Sequence, residues 1–246
     1  EPVIRGTEGA DSLTGTAQAE LILGLGGADR IWGRAGADTI DGGTGADSLY
    51  GEDGDDVLLF DITDKVQSAG LGNDTLRVAG AVTVNLAASD QVSGDKGIAS
   101  GFENVDASLS SLAVVLAGSA GGNILTGGAA ADRLSGGRGA DLLSGGAGAD
   151  RFVFASTLDS AGSAIDRILD MVAGQDRIDL SAIDARAGGS NNAFTFIGGA
   201  AFSANGQLRY DAASGVLEAD VTGDRVADLS IQLQAGLSLA AADFVL

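Results

Sequence analysis

The chain has 246 residues, with 34 acids against 14 lysines and arginines and a formal charge of −20. Such a balance disfavours nucleic acid and membrane insertion and favours cations as partners. Neither histidine nor cysteine occurs, which removes disulfides, thiolate zinc sites and every histidine-dependent catalytic device.

The chain opens on Glu1-Pro2 rather than on a basic, hydrophobic leader, as expected of a processed or excised piece. Residues 1–77 then carry a repeat of nine. Glycine stands at 6, 15, 24, 33, 42 and 51. Five places after each comes an acid: Asp11, Glu20, Asp29, Asp38, Asp47 and Asp56. Two places further comes an aliphatic residue: Leu13, Ile22, Ile31, Ile40, Leu49 and Leu58. The frame passes through a degenerate unit at 60–68 and returns in AGLGNDTLR, with Asp74 where the next acid is due.

Residues 78–117 break the frame. AVTVNLAAS alternates apolar and polar residues and reads as a strand, and SSLAVVLAG is a second strand candidate, so this stretch is expected to be metal-free strand-and-turn coils. A second array occupies 118–153, with Asn123, Asp132, Asp141 and Asp150 in the acid position and Leu125, Leu134, Leu143 and Phe152 two places on. Residues 154–246 thin out in glycine. Strand-like runs dominate from residue 151 onward (RFVFA, DRIDL, AFTFIG, QLRYDA, VLEADV, LSIQL), and only SAIDRILDMVA hints at a helix.

Each nonapeptide divides into a six-residue turn such as GGTGAD and a three-residue strand such as SLY. Only the middle residue of so short a strand faces one side, and its constant apolar character puts it in a core. Two units make one coil, so the expected fold is all-β, two facing parallel sheets wound as a single superhelix. Stacked strands lie ~4.8 Å apart, which makes Asp29 and Asp47 neighbours on one edge and Asp38 and Asp56 neighbours on the other. Two like charges at ~5 Å repel by about 3 kcal/mol at an effective dielectric of 20. A divalent cation removes that repulsion. Calcium suits the donor set, because it takes six to eight carboxylate and carbonyl oxygens. Magnesium demands stricter octahedral geometry, and zinc prefers nitrogen or sulfur.

Units such as GGTGADSLY and GGRGADLLS match G-G-x-G-x-D-x-U-x, the calcium-binding repeat of RTX proteins. The chain therefore resembles an RTX protein, which implies a parallel β-roll, a right-handed solenoid of two sheets, with a C-terminal β-rich cap, and each ion lying between the turns of units n and n+2. The resemblance implies the pairs Asp11/Asp29, Asp29/Asp47, Glu20/Asp38, Asp38/Asp56 and Asp132/Asp150, with Asn123/Asp141 and Asp56/Asp74 less regular. It also implies carbonyl ligands at the turn glycines Gly9, Gly27, Gly36, Gly45, Gly54, Gly139 and Gly148. Asp170 reads either as a surface acid or as the residue that completes a site against the last GGAGAD turn. Gln18 and Ala130 replace turn glycines and Glu20 is a methylene longer than aspartate, so their units depart from the pattern.

GFENVDAS resembles a connector between RTX arrays, and DRFVF followed by DRILDMVAGQDRIDLSAID resembles the C-terminal domain of serralysin-type secreted metalloproteases. The closing Asp243-Phe244-Val245-Leu246 fits a type I secretion signal. These likenesses imply a calcium-binding module of a bacterial exoprotein, located outside the cell and handled by type I secretion machinery. Alternatives are an adhesin, a surface-layer element, a polysaccharide-binding module, or the non-catalytic tail of a larger hydrolase or epimerase. Catalysis by this chain is not expected, since HExxH requires histidine and no G-x-S-x-G elbow occurs. DVTGDRVAD has the oxygen spacing of a calcium loop but lacks the later glutamate of an EF-hand, and a solvated turn is expected. Asp176 and Asp179 read as surface acids. Trp32 and Tyr50, last in their units, read as outward strand residues rather than a sugar platform.

Overall fold

The computed structural model describes residues 1–95, 97–186 and 192–246. Among the described residues the regular structure is β-strand with two short 3₁₀ turns and no α-helix. The chain divides into two compact units, Glu1–Ser110 and Ser111–Leu246.

In the first unit the nonapeptides alternate between two parallel sheets. One stacks Val3–Arg5, Leu21–Leu23, Thr39–Asp41, Val57–Leu59, Thr75–Arg77 and Asn104–Asp106. The other stacks Ser12–Thr14, Arg30–Ala35, Ser48–Asp53, Val66–Leu71 and Ile98–Ser100. Partners within the repeat lie 18 residues apart, as Ile22 beside Ile40 and Ile31 beside Leu49. The central apolar residue of each strand is the core: Ile22, Ile31, Ile40, Leu49, Leu58 and Leu76 are all fully buried. Burying one such side chain contributes about 1.5–3 kcal/mol.

Three strands are longer than the three residues expected. Arg30–Ala35, Ser48–Asp53 and Val66–Leu71 continue pairing into the turn, with Arg34 opposite Glu52 and Glu52 opposite Gly70. The extension passes through a left-handed residue in each, Arg34 (φ 78°), Glu52 (φ 73°) and Gly70 (φ 123°). In the connector, Thr83–Asn85 pairs antiparallel with Val92–Ser93, and Val115–Ala117, inside the second strand candidate, is a strand of the second unit.

The second unit repeats the two-sheet plan. Ile124–Thr126, Leu142–Ser144 and Asp166–Ile168 form one parallel stack, which Leu229–Gln232 joins in parallel; Val216–Asp220 then pairs antiparallel with Leu229–Gln232, and Gln207–Asp211 antiparallel with Val216–Asp220. Val115–Ala117, Arg133–Ser135, Arg151–Val153, Arg177–Asp179 and Phe244–Val245 form the other. The helix suggested by SAIDRILDMVA is a strand instead. Asp166 and Ile168 are buried while Arg167 is exposed, and this alternation of two docks Arg167 and Ile168 beside Leu142 and Leu143. The closing DFVL contributes Phe244–Val245 to the sheet beside Ile178 and Asp179.

Candidate metal centres

The repeat acids lie on the turn edges in four ladders. In the first unit, the Asp11 N–H donates to Asp29 Oδ1 and the Asp29 N–H to Asp47 Oδ1, each at 2.8 Å. On the opposite edge Glu20 donates to Asp38 and Asp38 to Asp56, each at 2.8 Å, and Asp56 to Asp74 at 2.7 Å. In the second unit the same bond joins Asn123 to Asp141 (2.7 Å) and Asp132 to Asp150 (2.8 Å). All seven expected pairs are thus brought together. The carboxylates do not simply face each other, however: one oxygen of each caps the backbone N–H of the coil before it.

The ladders run past the recognised repeats. Asp47 donates to Asp64 (3.2 Å), Asp74 to Glu103 (2.9 Å), Asp141 to Asp166 (2.9 Å) and Asp150 to Asp176 (3.0 Å). Asp64, Asp166 and Asp176 are buried, and so is Asp179, against the expectation that Asp176 and Asp179 are surface acids. Asp179 sits within 3.8 Å of Arg133 and 3.5 Å of Arg151.

The second carboxylate oxygen separates the rungs into two kinds. Among the described residues, Oδ2 of Asp29, Asp38, Asp47, Asp56, Asp74, Asp141, Asp150 and Asp166 is buried and has no hydrogen-bond partner. In each of these the residue four places earlier is left-handed: Leu25 (φ 79°), Arg34 (78°), Gly43 (84°), Glu52 (73°), Gly70 (123°), Gly137 (87°), Gly146 (85°) and Gly162 (63°). Elsewhere that same residue turns its N–H onto the acid. Thr7 donates to Asp11 (2.6 Å), Thr16 to Glu20 (3.0 Å), Ser119 to Asn123 (2.7 Å), Gly128 to Asp132 (2.6 Å) and Val172 to Asp176 (2.8 Å). The first coil of each array is therefore closed by its own backbone, as is the later rung at Asp176, whereas the rungs at Asp29, Asp38, Asp47, Asp56, Asp74, Asp141 and Asp150 are open. A left-handed non-glycine residue costs about 1–2 kcal/mol, so Leu25, Arg34 and Glu52 mark a conformation that the site, not the sequence, requires.

Glycine clears the space. A Cβ on Gly33 would stand 2.5 Å from Asp38 Oδ2, and one on Gly45 would overlap the Gly27 carbonyl stacked against it. The carbonyls of Gly36 and Gly54 lie in the same way against Gly54 and Gly72. Gly139 and Gly148 are left-handed and stack over Gly121 and Ala130. Gly9 accepts from the Thr7 hydroxyl at 3.4 Å. Asp170 does meet the last GGAGAD turn, but both of its oxygens accept N–H bonds there, from Gly145 and Gly146 at 2.9 Å. The 220–228 loop is likewise self-satisfied. Asp220 is buried rather than solvated, and it accepts from Gly223 (2.6 Å) and Arg225 (3.0 Å).

Burial pushes several of these carboxylates upward. Asp38, Asp74, Asp141 and Asp150 rise to about 6, with neighbouring ladder charges adding to the desolvation at Asp38, Asp74 and Asp150. Asp47 and Asp56 also rise, and Asp166 reaches about 8. By contrast, hydrogen bonds from Thr16 hold Glu20 below its ordinary value. Among the described residues no three acids converge on one point. A cation at an open rung would thus find one or two carboxylates and would draw its other ligands from carbonyls. That donor set fits a hard, oxygen-seeking ion of flexible geometry, and the partnerless buried oxygens supply the need for one.

Residues 43–246 match the family profile described as Peptidase M10 serralysin C terminal, and residues 3–31 match that of the RTX calcium-binding nonapeptide repeat (4 copies). Neither matched segment is a catalytic domain. Among curated proteins, the "Metalloprotease AprA" of Pseudomonas entomophila is 42% identical over 87 residues, which are 32% of this chain and 17% of that protein. Among solved structures, the AlgE6R3 subunit of the Azotobacter vinelandii mannuronan C5-epimerase aligns over 98% of this chain and 80% of its own. At 20% identity and a TM-score of 0.22, that match carries no weight for fold or function. RTX nonapeptide repeats bind calcium, and the chain belongs to the serralysin C-terminal family of secreted proteins.

Proposed function

We propose that this chain is a calcium-folded module of a bacterial exoprotein exported by type I secretion. It is unfolded where calcium is scarce and folds outside the cell. The observation that carries this reading is the set of eight buried, partnerless Oδ2 atoms. Leaving a buried charged acceptor unsatisfied costs at least about 1–3 kcal/mol, and eight such costs rival the whole stability of an ordinary domain, about 5–15 kcal/mol. Asp29, Asp38, Asp47, Asp56, Asp74, Asp141 and Asp150 would hold the ions, with Asp166 as a further open acid. The carbonyls of turn glycines such as Gly27, Gly36, Gly45, Gly54, Gly139 and Gly148 would serve beside them. Calcium would neutralise the ladder and join successive coils, so its binding free energy becomes folding free energy. Asp11, Glu20, Asn123, Asp132 and Asp170 contribute through oxygens already held by N–H donors.

Residues 154–246 would cap the second array and carry the export signal, with 1–77 and 118–153 as the two calcium-binding blocks. Circular dichroism in calcium and in chelator tests the reading: strand content must appear with calcium, and an unchanged spectrum refutes it.

One observation favours a polysaccharide-binding role beside the folding role. Trp32 and Tyr50 stack with ring centroids 5.8 Å apart and planes 12° apart. Trp32 borders an open surface cavity of about 620 Å³ shared with Thr14, Arg34, Glu52 and Asp53. Glycan-array binding in calcium, lost in Trp32→Ala, would support it. The likeness to AprA fits the third setting, a non-catalytic tail of a larger secreted protease.

A further inference from the structure

The degenerate unit at 60–68 keeps the ladder but not its open oxygen. Asp64 lies 17 residues after Asp47 and accepts its N–H at 3.2 Å. Its Oδ2, the atom left bare in the rungs beneath, accepts from Gln67 Nε2 at 2.7 Å. The same amide nitrogen donates to the Leu59 carbonyl at 3.1 Å. Gln67 is only 2% exposed and stands in register with Leu49. It therefore occupies a core position that the repeat fills with an aliphatic side chain elsewhere. A buried amide is costly in such a place unless it is bonded, and its own Oε1 is left buried without a partner. The Thr63 hydroxyl completes the pattern by donating to the Gly45 carbonyl, one of the turn oxygens expected to face an ion.

We infer that this unit is a cation-free closing rung, in which Gln67 and Thr63 donate to the carboxylate and carbonyl oxygens that calcium engages in the coils below. The far end of the second array is built alike, with different residues. Asp176 accepts from Asp150 (3.0 Å) and from Val172 (2.8 Å), so neither oxygen is bare. Gln175, the residue just before that acid as Thr63 is just before Asp64, donates its amide to the Gly148 carbonyl. Two unrelated solutions at two array ends satisfy the same pair of oxygens, one on the acid and one on the turn of the coil before it. On each of these two edges the ladder thus ends on a unit that needs no further ion, whereas on the opposite edges Asp74 and Asp166 keep a bare Oδ2.

The inference rests on the calcium reading above, and its test separates the two. Calcium bound per chain would be counted by equilibrium dialysis for the natural chain and for the Thr63→Ala/Gln67→Leu double variant, with circular dichroism in calcium confirming the fold. The Phe60 N–H, four places before Asp64, is already bonded to the Arg77 carbonyl at 2.8 Å, so the donor that closes the first coils is not free to replace the lost amide. The expected result is one additional ion in the double variant. If the variant does not fold, Gln67→Met with Thr63 retained bares the same Asp64 oxygen and carries the same expectation. An unchanged count overturns the inference. So does a loss of one ion, which would mean that the amide is turned about and Gln67 Oε1 is itself a ligand. No calcium bound by the natural chain would instead overturn the calcium reading.

Discussion

Proton and calcium should act on this fold with opposite signs. Asp38, Asp74, Asp141 and Asp150 are no more than 2% exposed and are raised by burial from 3.8 to about 6. A group whose folded value lies above its unfolded value stabilises the fold below the unfolded value and loses that contribution as pH rises through the folded one. Keeping these carboxylates charged at pH 8 therefore works against the fold. Asp64 and Asp166, raised to about 7 and about 8, extend the window upward. Glu20, Asp106, Asp179 and Asp211 are lowered and oppose the trend only below about pH 4. In chelator, acidification from pH 8 to pH 5 should therefore increase strand content. In saturating calcium the same change should weaken the fold, because protons compete for the ligands. Far-UV circular dichroism against pH, with chelator and with calcium, reads both limbs. A chelated chain that loses strand content on acidification over this range refutes the assignment of these buried acids as the destabilising element.

Asp38→Asn keeps an Oδ1 acceptor for the Glu20 N–H but removes the charge. It should raise residual structure in chelator while raising the calcium midpoint of folding, both read by circular dichroism. Arg34→Gly relieves a left-handed φ of 78° worth about 1 kcal/mol and should lower the calcium midpoint. Arg34→Val, β-branched and averse to that conformation, should raise it. Ile40→Ala empties a fully buried core position at a cost of about 2–5 kcal/mol, shifting the midpoint upward in the same titration. Magnesium at equal concentration should fold the chain far less well than calcium, since one or two carboxylates per rung cannot impose octahedral geometry.

Much of this architecture is written in the period of nine. The step from acid to aliphatic residue places both the core (Ile22, Ile31, Ile40, Leu49) and the edge ladders, because the strands are too short for any other arrangement. Glu103, Asp166 and Asp176 escaped that frame. They follow their ladder partners by 29, 25 and 26 residues rather than 18, since a longer loop intervenes. The local signal survives the change of spacing: in Glu103-Asn104-Val105, Asp166-Arg167-Ile168 and Asp176-Arg177-Ile178 an acid again precedes a buried aliphatic by two. Asp64 lost even that signal, because its core residue is Gln67, three places on. The open or closed state of a rung was legible only where a glycine (Gly43, Gly70, Gly137, Gly146, Gly162) stands at the left-handed position. It depends on the backbone hand of the residue four places before the acid, and Leu25, Arg34 and Glu52 have no intrinsic preference for it.

The most direct test of a fold that depends on calcium is small-angle scattering of the chain in chelator and in millimolar calcium at pH 8. An unfolded chain of this length has a radius of gyration of roughly 50 Å, and a folded one is several-fold smaller. Calcium-dependent folding predicts a collapse from the first value on adding calcium and its return on chelation. A chain equally compact in both solutions contradicts it.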